Sequence, residues 1–188
     1  PCTVIDQQTG TIWLLSTWNN GFDTEATITK STGKDTRRVY VSFSTDDGVT
    51  FSEPNDITAS TKLPQWTWYA TGPGSGIQLR IGEKKGRLVI PCDHKLKTDV
   101  LEFHSHVIYS DDHGQTWQNG GGEEKGTNES HVSERADETL MQNKRRARTD
   151  SEPYSLLADS SDAGATWYNF TMDKTKIGPR CQSSMIRY

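Results

Sequence analysis

The sequence has little of what would point to a metal centre, a membrane span or a nucleic-acid surface. Its three cysteines show no Cys-x-x-Cys spacing, which argues against a zinc site or a disulfide framework and predicts buried free thiols. No apolar run approaches the length of a membrane-crossing segment. The 21 basic residues are outnumbered by 25 acidic ones, and this net charge of -4 argues against a nucleic-acid partner. Metal-like spacing is also absent from four histidines: His104, His106, His113 and His131.

The residues that are present are typical of a turn-rich β protein. Six Trp, six Tyr and 16 Gly separate the chain from disordered sequences, although only 31% of its residues are hydrophobic. The patterns predict strands at residues 1–6 and 10–18, a polar loop at 19–34, short strands at 77–81 and 87–91, and no helix of normal length. No targeting segment is visible, and its absence gives no information about the cellular compartment of the protein.

One pattern, Ser-x-Asp-x-Gly-x-Thr-aromatic, occurs three times, at residues 44–51, 110–117 and 160–167. Each copy follows a short β-type run, so we expect its Asp-x-Gly core to form a hairpin turn. The Asp side chain can accept hydrogen bonds from the turn's own backbone, the Gly supplies positive φ, and the aromatic residue is predicted to begin the returning strand.

The spacing of the three copies predicts a β-propeller. They begin at residues 44, 110 and 160, which are 66 and 50 residues apart, and one hairpin signal per blade is typical of that fold. Three copies indicate about three blades, and residues 180–188 look like the first strand of another. Because propellers close into rings of about four to eight blades, we expect the remaining blades to come from the rest of a larger protein or from another chain.

The three copies resemble the Asp-box repeat of sialidases and related propeller glycosidases. That resemblance implies a six-bladed propeller with about three to four blades in residues 1–188, and it makes Asp46, Asp112 and Asp162 scaffold residues outside the active site. It further implies an exo-acting enzyme that releases terminal sialic acid from glycans with retention of configuration and needs no cofactor.

Glu129 is the candidate catalytic residue. By itself, a Glu in the polar segment 126–129 is typical of a solvated surface carboxylate, but the segment resembles the Thr-Asn-Glu strand of bacterial and animal sialidases. There the Glu polarises a tyrosine that attacks the anomeric carbon, and a neutral phenol avoids repulsion by the sugar carboxylate. The resemblance also assigns Asn128 to substrate binding.

The basic run 144–148 has two interpretations. Composition alone indicates a solvated basic patch, whereas strand alternation places Asn143, Arg145 and Ala147 on one face and the intervening basic side chains on the other. Asn143-Lys144-Arg145 also resembles the family's Asn-x-Arg, whose Arg is one of three that bind the sialic acid carboxylate. The resemblance therefore assigns that role to Arg145, with Arg146 as the alternative if the register slips by one.

Two further segments resemble parts of the family's pocket. In residues 65–78, the residue that matches Gln65 contacts the glycerol tail of the sugar, although the aromatic side chains that follow it could equally pack between blades. Alternating glycines there predict a backbone that approaches another strand or a ligand. Residues 91–94 resemble a loop at the pocket rim, so that Asp93 and His94 either bind substrate hydroxyls or form a hydrogen-bonded loop pair.

The family uses residues that this chain does not match. Its first arginine and its acid/base aspartate precede the matched region, and its last arginine and nucleophilic tyrosine follow it. Tyr188 lies on the wrong side of the missing arginine to be that tyrosine. We therefore expect the 188 residues to be inactive by themselves. A non-catalytic Asp-box propeller that binds glycan or protein is the alternative function, and a truncated chain without activity is a third.

Overall fold

A computed structural model describes residues 1–97, 102–122, 125–147, 153–177 and 181–187. The first part of the chain forms β1 (Cys2–Ile5), β2 (Ile12–Trp18), α1 (Glu25–Thr29), β3 (Arg38–Ser44) and β4 (Asn55–Asp56). The middle part forms α2 (Thr58–Thr61), β5 (Trp66–Thr71), β6 (Gly74–Ser75), β7 (Ile77–Gln78), β8 (Leu88–Leu96), β9 (Phe103–Ser110) and β10 (Gln118–Asn119). The last part forms β11 (Thr127–Glu134), β12 (Leu140–Arg146), β13 (Tyr154–Ser160) and β14 (Tyr168–Ile177).

These strands build three sheets, which we call blades 1, 2 and 3, and every pairing is antiparallel except that of β1 with β6. Their strand orders are β4-β3-β2-β1-β6, β10-β9-β8-β5 and β11-β12-β13-β14, and β7 also pairs with β8. Most neighbouring strands are sequential along the chain, as expected for propeller blades, and the exceptions are the β1–β6 and β5–β8 pairs around the segment between β5 and β8. The architecture is therefore the all-β propeller that the repeats predict, with three blades in the described residues.

Blade 2 lies between the other two blades and buries both of its faces. Successive side chains of a strand point to opposite faces, and along β8 Leu88 and Ile90 pack in a cluster with blade 1, whereas Val89 packs in a cluster with blade 3. In β9 the same alternation sends Ile108 toward blade 1 and Val107 toward blade 3. All five side chains are fully buried.

Each Asp box is a hairpin turn between the third and fourth strands of its blade. In the first box, Asp46 accepts hydrogen bonds from the Thr50 backbone nitrogen at 2.9 Å and from its hydroxyl at 2.6 Å, while the Ser44 hydroxyl accepts one from Gly48 N. These bonds, from the Thr50 side chain above all, lower the pKa of Asp46 to about 2. The other two boxes repeat the same bonds.

Two details of the boxes differ from expectation. The residue before the Gly also has positive φ in every box, so two consecutive residues turn the chain. The aromatic residue precedes a strand directly only at Trp117 and Trp167, because in the first box β4 begins four residues after Phe51. The predicted hairpin turns themselves are confirmed.

Side chains from the boxes tie the blades together. Buried Arg87 makes a two-pronged ion pair with Asp111 at 2.7 and 2.8 Å and donates to the carbonyl of Ala163 in the third box at 3.0 Å. On the other side, His113 of the second box contacts the buried carboxylate of Asp6 at 2.7 Å. Blade 2 is therefore joined through its box to both neighbours.

The glycine-rich segment after β5 leaves blade 2 and returns. β6 adds to blade 1 by parallel pairing with Cys2 and Thr3, and β7 then rejoins β8. A side chain at Gly76 would place its Cβ 2.6 Å from the Val89 carbonyl oxygen, so only glycine fits there. The expected close approach to another strand is confirmed.

Several local predictions were wrong. The loop predicted at 19–34 contains α1, and only Ile77–Gln78 of the strand predicted at 77–81 is a strand. Cys181 is exposed, while Cys2 and Cys92 are buried free thiols as expected. Residues 181–187 contain no strand, and Arg148, Arg180 and Tyr188 lie outside the described residues.

Candidate functional site

A cavity of about 560 Å³ receives side chains from all three blades. Blade 1 and its α1 region supply Pro1, Ser16, Thr17, Glu25 and Arg37; blade 2 supplies Trp68, Ala70, Thr71, Pro73, Asp93 and Phe103; blade 3 supplies Asn128, Glu129 and Arg145. The cavity brings together four of the residues that the sequence singles out, namely Asp93, Asn128, Glu129 and Arg145.

A β-bulge sets the position of Glu129. Thr127 pairs with Arg146 and Ser130 pairs with Lys144, so the two residues Asn128 and Glu129 lie opposite Arg145 alone. A bulge of this kind redirects a side chain that regular alternation would send to the other face. Both Glu129 and Arg145 consequently reach the same cavity.

Glu129 and Arg145 form an ion pair at the cavity wall. The Nη1 atom of Arg145 lies 2.6 Å from Oε2 of Glu129, with side chains 31% and 28% exposed. The Asn128 side-chain oxygen accepts from the Glu129 backbone nitrogen at 2.8 Å and lies 3.4 Å from Arg145 Nη1. Ser105 of β9 donates to the Asn128 carbonyl and fixes the bulge to blade 2. The Nε of Arg145 is buried without a hydrogen-bond partner among the described atoms.

The register separates Arg145 from its basic neighbours. Lys144 is fully buried and its ammonium lies 4.8 Å from the centre of the Phe170 ring, while Arg146 contacts the Met172 sulfur at 3.7 Å. Asn143, on the Arg145 face, donates to Ser183 at 2.9 Å. The solvated basic patch is therefore wrong for Lys144, and the arginine that lines the cavity is Arg145, not Arg146.

Asp93 is a buried carboxyl group in the cavity wall. It is 2% exposed and lies in β8 opposite Ala70. Burial, with added repulsion from Glu129 and Glu25, raises its pKa to about 8, because desolvation disfavours the charged form. At neutral pH the group is therefore mostly a neutral acid that can donate a hydrogen bond.

Residues 91–94 are not a loop. They belong to the nine-residue strand β8, in which Pro91 to Lys95 are all buried. His94 points away from the cavity, stacks on Trp66 with ring centres 3.6 Å apart, and has its Nδ1 3.0 Å from that of His106. Burial lowers the pKa of both histidines, to about 3 for His106. The predicted loop pair is thus corrected to a strand with its two side chains on opposite faces.

The aromatic residues that follow Gln65 also lie on two sides of their strand, one facing the core and one facing the cavity. Trp66 and Tyr69 are buried in the core between blades 1 and 2, whereas Trp68 lines the cavity. Gln65 itself is exposed and does not line the cavity. Nor do the three box aspartates, Asp46, Asp112 and Asp162, which lie at their own turns.

Two charged residues of the cavity were not identified from the sequence. Glu25, from α1, pairs with the buried ammonium of Lys95, which lies 4.0 Å from the centre of the Phe103 ring. Arg37 precedes β3, and its guanidinium lies 4.1 Å from the centre of the Trp68 ring. Neither belongs to a motif, and only the packing of blade 1 on blade 2 brings them to the cavity.

Within the ranges that the structure describes, no group of three or more His, Cys, Asp or Glu side chains could hold a metal ion. Among those same residues no helix is long and apolar enough to cross a membrane.

Residues 1–183 match the family described as "BNR repeat-like domain". Over 99% of the chain, a sialidase of Bacteroides fragilis is 30% identical, and the match covers 34% of that protein. A sialidase of Micromonospora viridifaciens is 30% identical over the whole chain, which covers 29% of it. An exo-alpha-sialidase of Aspergillus fumigatus is 32% identical over the whole chain, with 44% of its length covered.

Solved structures of sialidases also match this chain. The Hadza microbial sialidase Hz136 matches with a TM-score of 0.83 and 30% identity over 98% of this chain and 35% of that one. Trypanosoma rangeli sialidase, at 20% identity and a TM-score of 0.67, shares the fold. The chain spans about a third of the length of the first relatives that it matches. From the repeats, the fold and these matches, the chain belongs to the BNR repeat-like domain family and is a sialidase-type β-propeller.

Proposed function

We propose that this chain forms part of an exo-α-sialidase that hydrolyses terminal sialic acids from glycoconjugates. The observation that carries the proposal is the bulge-positioned pair of Glu129 and Arg145, 2.6 Å apart at the wall of a cavity built by three blades. Sialidase relatives support the reaction class. Because the chain covers 34% and 44% of the length of these two relatives, we propose that the rest of the propeller comes from a continuation of this chain or from another chain.

In this proposal Glu129 acts as the base for a tyrosine outside the 188 residues. Glu129 accepts the phenolic proton as the tyrosine oxygen bonds to the anomeric carbon, and the glycosidic bond breaks as the glycosidic oxygen of the leaving sugar is protonated. Water then attacks the anomeric carbon from the face that the leaving sugar has vacated and gives its proton to the group that had protonated the leaving sugar. The tyrosine oxygen leaves with the proton returned by Glu129, and the two inversions together retain the configuration. The protonating aspartate is also among the residues that this chain does not match.

Arg145 is proposed to bind the substrate carboxylate. Its planar guanidinium can form two parallel hydrogen bonds to a carboxylate. Its contacts with Asn128 and Glu129 use only one nitrogen, Nη1, so Nη2 makes no hydrogen bond among the described residues. Donor capacity therefore remains for a ligand while Glu129 stays in place.

Asp93 and Asn128 complete the substrate-binding part of the proposal. With its pKa raised to about 8 by burial, the Asp93 carboxyl can donate to a sugar oxygen at neutral pH. Asn128 lines the cavity beside Glu129. Gln65 and His94 do not line the cavity, so we do not extend the proposal to them.

The test is turnover of a fluorogenic sialoside by the intact protein that carries this chain. Glu129→Gln keeps the size of the side chain but removes the base, and loss of general base catalysis lowers kcat by about 10²- to 10⁴-fold. Glu53→Gln, at an exposed position away from the cavity, is the matched control and should leave kcat unchanged.

Two results would contradict the proposal. If Glu129→Gln turns over the sialoside as fast as the unchanged protein, Glu129 is not the base. If the unchanged protein binds sialosides but never cleaves them, the non-catalytic glycan-binding propeller becomes the better account.

A further inference from the structure

Arg37 carries a positive charge that no carboxylate of the described residues neutralises. Its guanidinium donates to three neutral oxygens: to the Tyr69 carbonyl from Nε at 3.2 Å, to the Thr17 hydroxyl from Nη2 at 2.9 Å, and to the Asn19 side chain from Nη1. A guanidinium has five N–H groups, so two remain, one on each terminal nitrogen. Burial lowers the pKa of Arg37, but an arginine stays charged at neutral pH.

The surroundings keep this charge available. Two carboxyl groups act on Arg37 through space, those of Asp93 and Glu25. Glu25 is already paired with Lys95, and Asp93 is mostly protonated below pH 8 because burial raises its pKa to about 8. The Trp68 ring, 4.1 Å from the guanidinium carbon, fixes the plane of the group. A fixed, unpaired guanidinium at a cavity wall is suited to an oxyanion.

Arg37 and Arg145 enter the cavity from different blades. Arg37 belongs to blade 1 and is anchored on β5, whereas Arg145 belongs to blade 3 and is anchored on the Asn128–Glu129 bulge. Each arginine is held by its own contacts and keeps hydrogen-bond donors of its own. A ligand with two anionic groups can therefore pair one group with each arginine.

We propose that Arg37 forms a second oxyanion-binding position, an inference that rests on the proposed function. Sialylated glycans that carry a second anionic group are then the preferred substrates. The shared chemistry is an oxyanion on the sugar next to the sialic acid that is cleaved. Its source is either the carboxylate of a second sialyl residue or a sulfate ester.

The experiment compares three substrates with the intact protein: sialyllactose, disialyllactose and a sialyllactose that carries a sulfate ester on the adjoining sugar. We expect kcat/KM for at least one dianionic substrate to exceed that for sialyllactose by about 10-fold, the effect of one charge-assisted hydrogen-bonded pair. Which of the two is preferred identifies the source of the oxyanion.

Arg37→Gln should reduce this preference to about one while leaving kcat/KM for sialyllactose nearly unchanged. Arg37→Lys keeps the charge without the planar fork and should give an intermediate preference, which also decides the question if the Gln variant does not fold. The matched control is Arg38→Gln, because Arg38 is the next residue but pairs with Asp35 and Asp56 outside the cavity. Its preference should equal that of the unchanged protein.

The proposal is overturned if the unchanged protein shows no preference for either dianionic substrate. It is also overturned if Arg37→Gln lowers kcat/KM for all three substrates equally, because Arg37 would then act on the same carboxylate as Arg145. Calorimetric titration with the same three glycans separates this inference from the proposed function. Tighter, Arg37-dependent binding of a dianionic glycan without any cleavage would support the Arg37 position and contradict the sialidase.

Discussion

At the scale of single residues, the carboxyl groups of the cavity differ in the partners that surround them. Glu129 faces Arg145 at 2.6 Å and Glu25 faces Lys95, whereas Asp93 makes no side-chain hydrogen bond to the residues that the structure describes and has its pKa raised to about 8 by burial. A buried carboxyl without a partner avoids the cost of desolvation by staying neutral. Of the three carboxyl groups in the cavity, two are thus paired with a cation and the third is held neutral by burial.

Asp93→Asn should stabilise the protein increasingly as pH rises. Between about pH 4 and pH 8 the folded state keeps a proton on Asp93 that the unfolded state has lost, so the stability of the unchanged protein falls across that range. Each unit of pKa difference corresponds to roughly 1.4 kcal/mol. Melting temperatures at pH 5, 7 and 9 should show a growing advantage of the variant that levels off above pH 8.

Asp35→Asn is the control for that measurement. The hydrogen bond from Arg38 lowers the pKa of Asp35, so the ionised carboxylate stabilises the folded protein above about pH 4. Asp35→Asn removes this carboxylate and should therefore destabilise the protein in that range, whereas Asp93→Asn should stabilise it. The alternative result is that the melting temperatures of Asp93→Asn and the unchanged protein differ by the same amount at all three pH values. That result would contradict the inference that buried Asp93 is neutral in the folded protein.

At the scale of elements, the Asp boxes could be predicted from the sequence, whereas β8 could be predicted only as far as Pro91 and not through its last residues to Leu96. A box is specified by bonds among residues two to four apart, such as those from Ser110 and Thr116 to Asp112. In β8, Asp93, His94 and Lys95 are polar residues in the interior of a strand, which by themselves indicate a loop. Contacts from distant elements, including the His94–His106 and Lys95–Glu25 pairs, allow the strand to continue.

The three boxes should differ in how much stability they supply. Asp112→Ala removes hydrogen bonds from the Thr116 backbone and hydroxyl beneath Trp117, which is 1% exposed, and should cost about 2 kcal/mol of unfolding free energy. Asp46→Ala should cost less, because Phe51 of its box is 43% exposed and the turn lies at the surface. Chemical denaturation of the two variants makes the comparison, and an equal or larger loss for Asp46→Ala would contradict it.

At the scale of the whole molecule, the cavity exists because three blades meet. The repeat spacing predicted the blades, and resemblance to sialidases singled out Glu129 and Arg145, which the structure then places opposite each other through the bulge. Arg37 and Glu25 could not be found in this way, since their place in the cavity depends on how blade 1 packs on blade 2 and no local pattern records it. The cavity residues that belong to a motif could therefore be predicted from the sequence, and those that only the packing between blades brings to the cavity could not.

The central claim is that this cavity binds sialic acid through Arg145. Its most direct test is calorimetric titration of the protein with the dehydrated analogue of sialic acid, comparing Arg145→Ala with Arg135→Ala. Arg135 is the matched control, because it pairs with Asp159 at 2.7 Å in the same blade and does not line the cavity.

Removal of the Arg145 guanidinium takes away charge-assisted hydrogen bonds to the ligand carboxylate, so we expect Kd to rise by about 10- to 100-fold. Arg135→Ala should bind the analogue as the unchanged protein does. Equal affinity of Arg145→Ala and the unchanged protein would contradict the account, because the carboxylate would then be bound elsewhere or not at all.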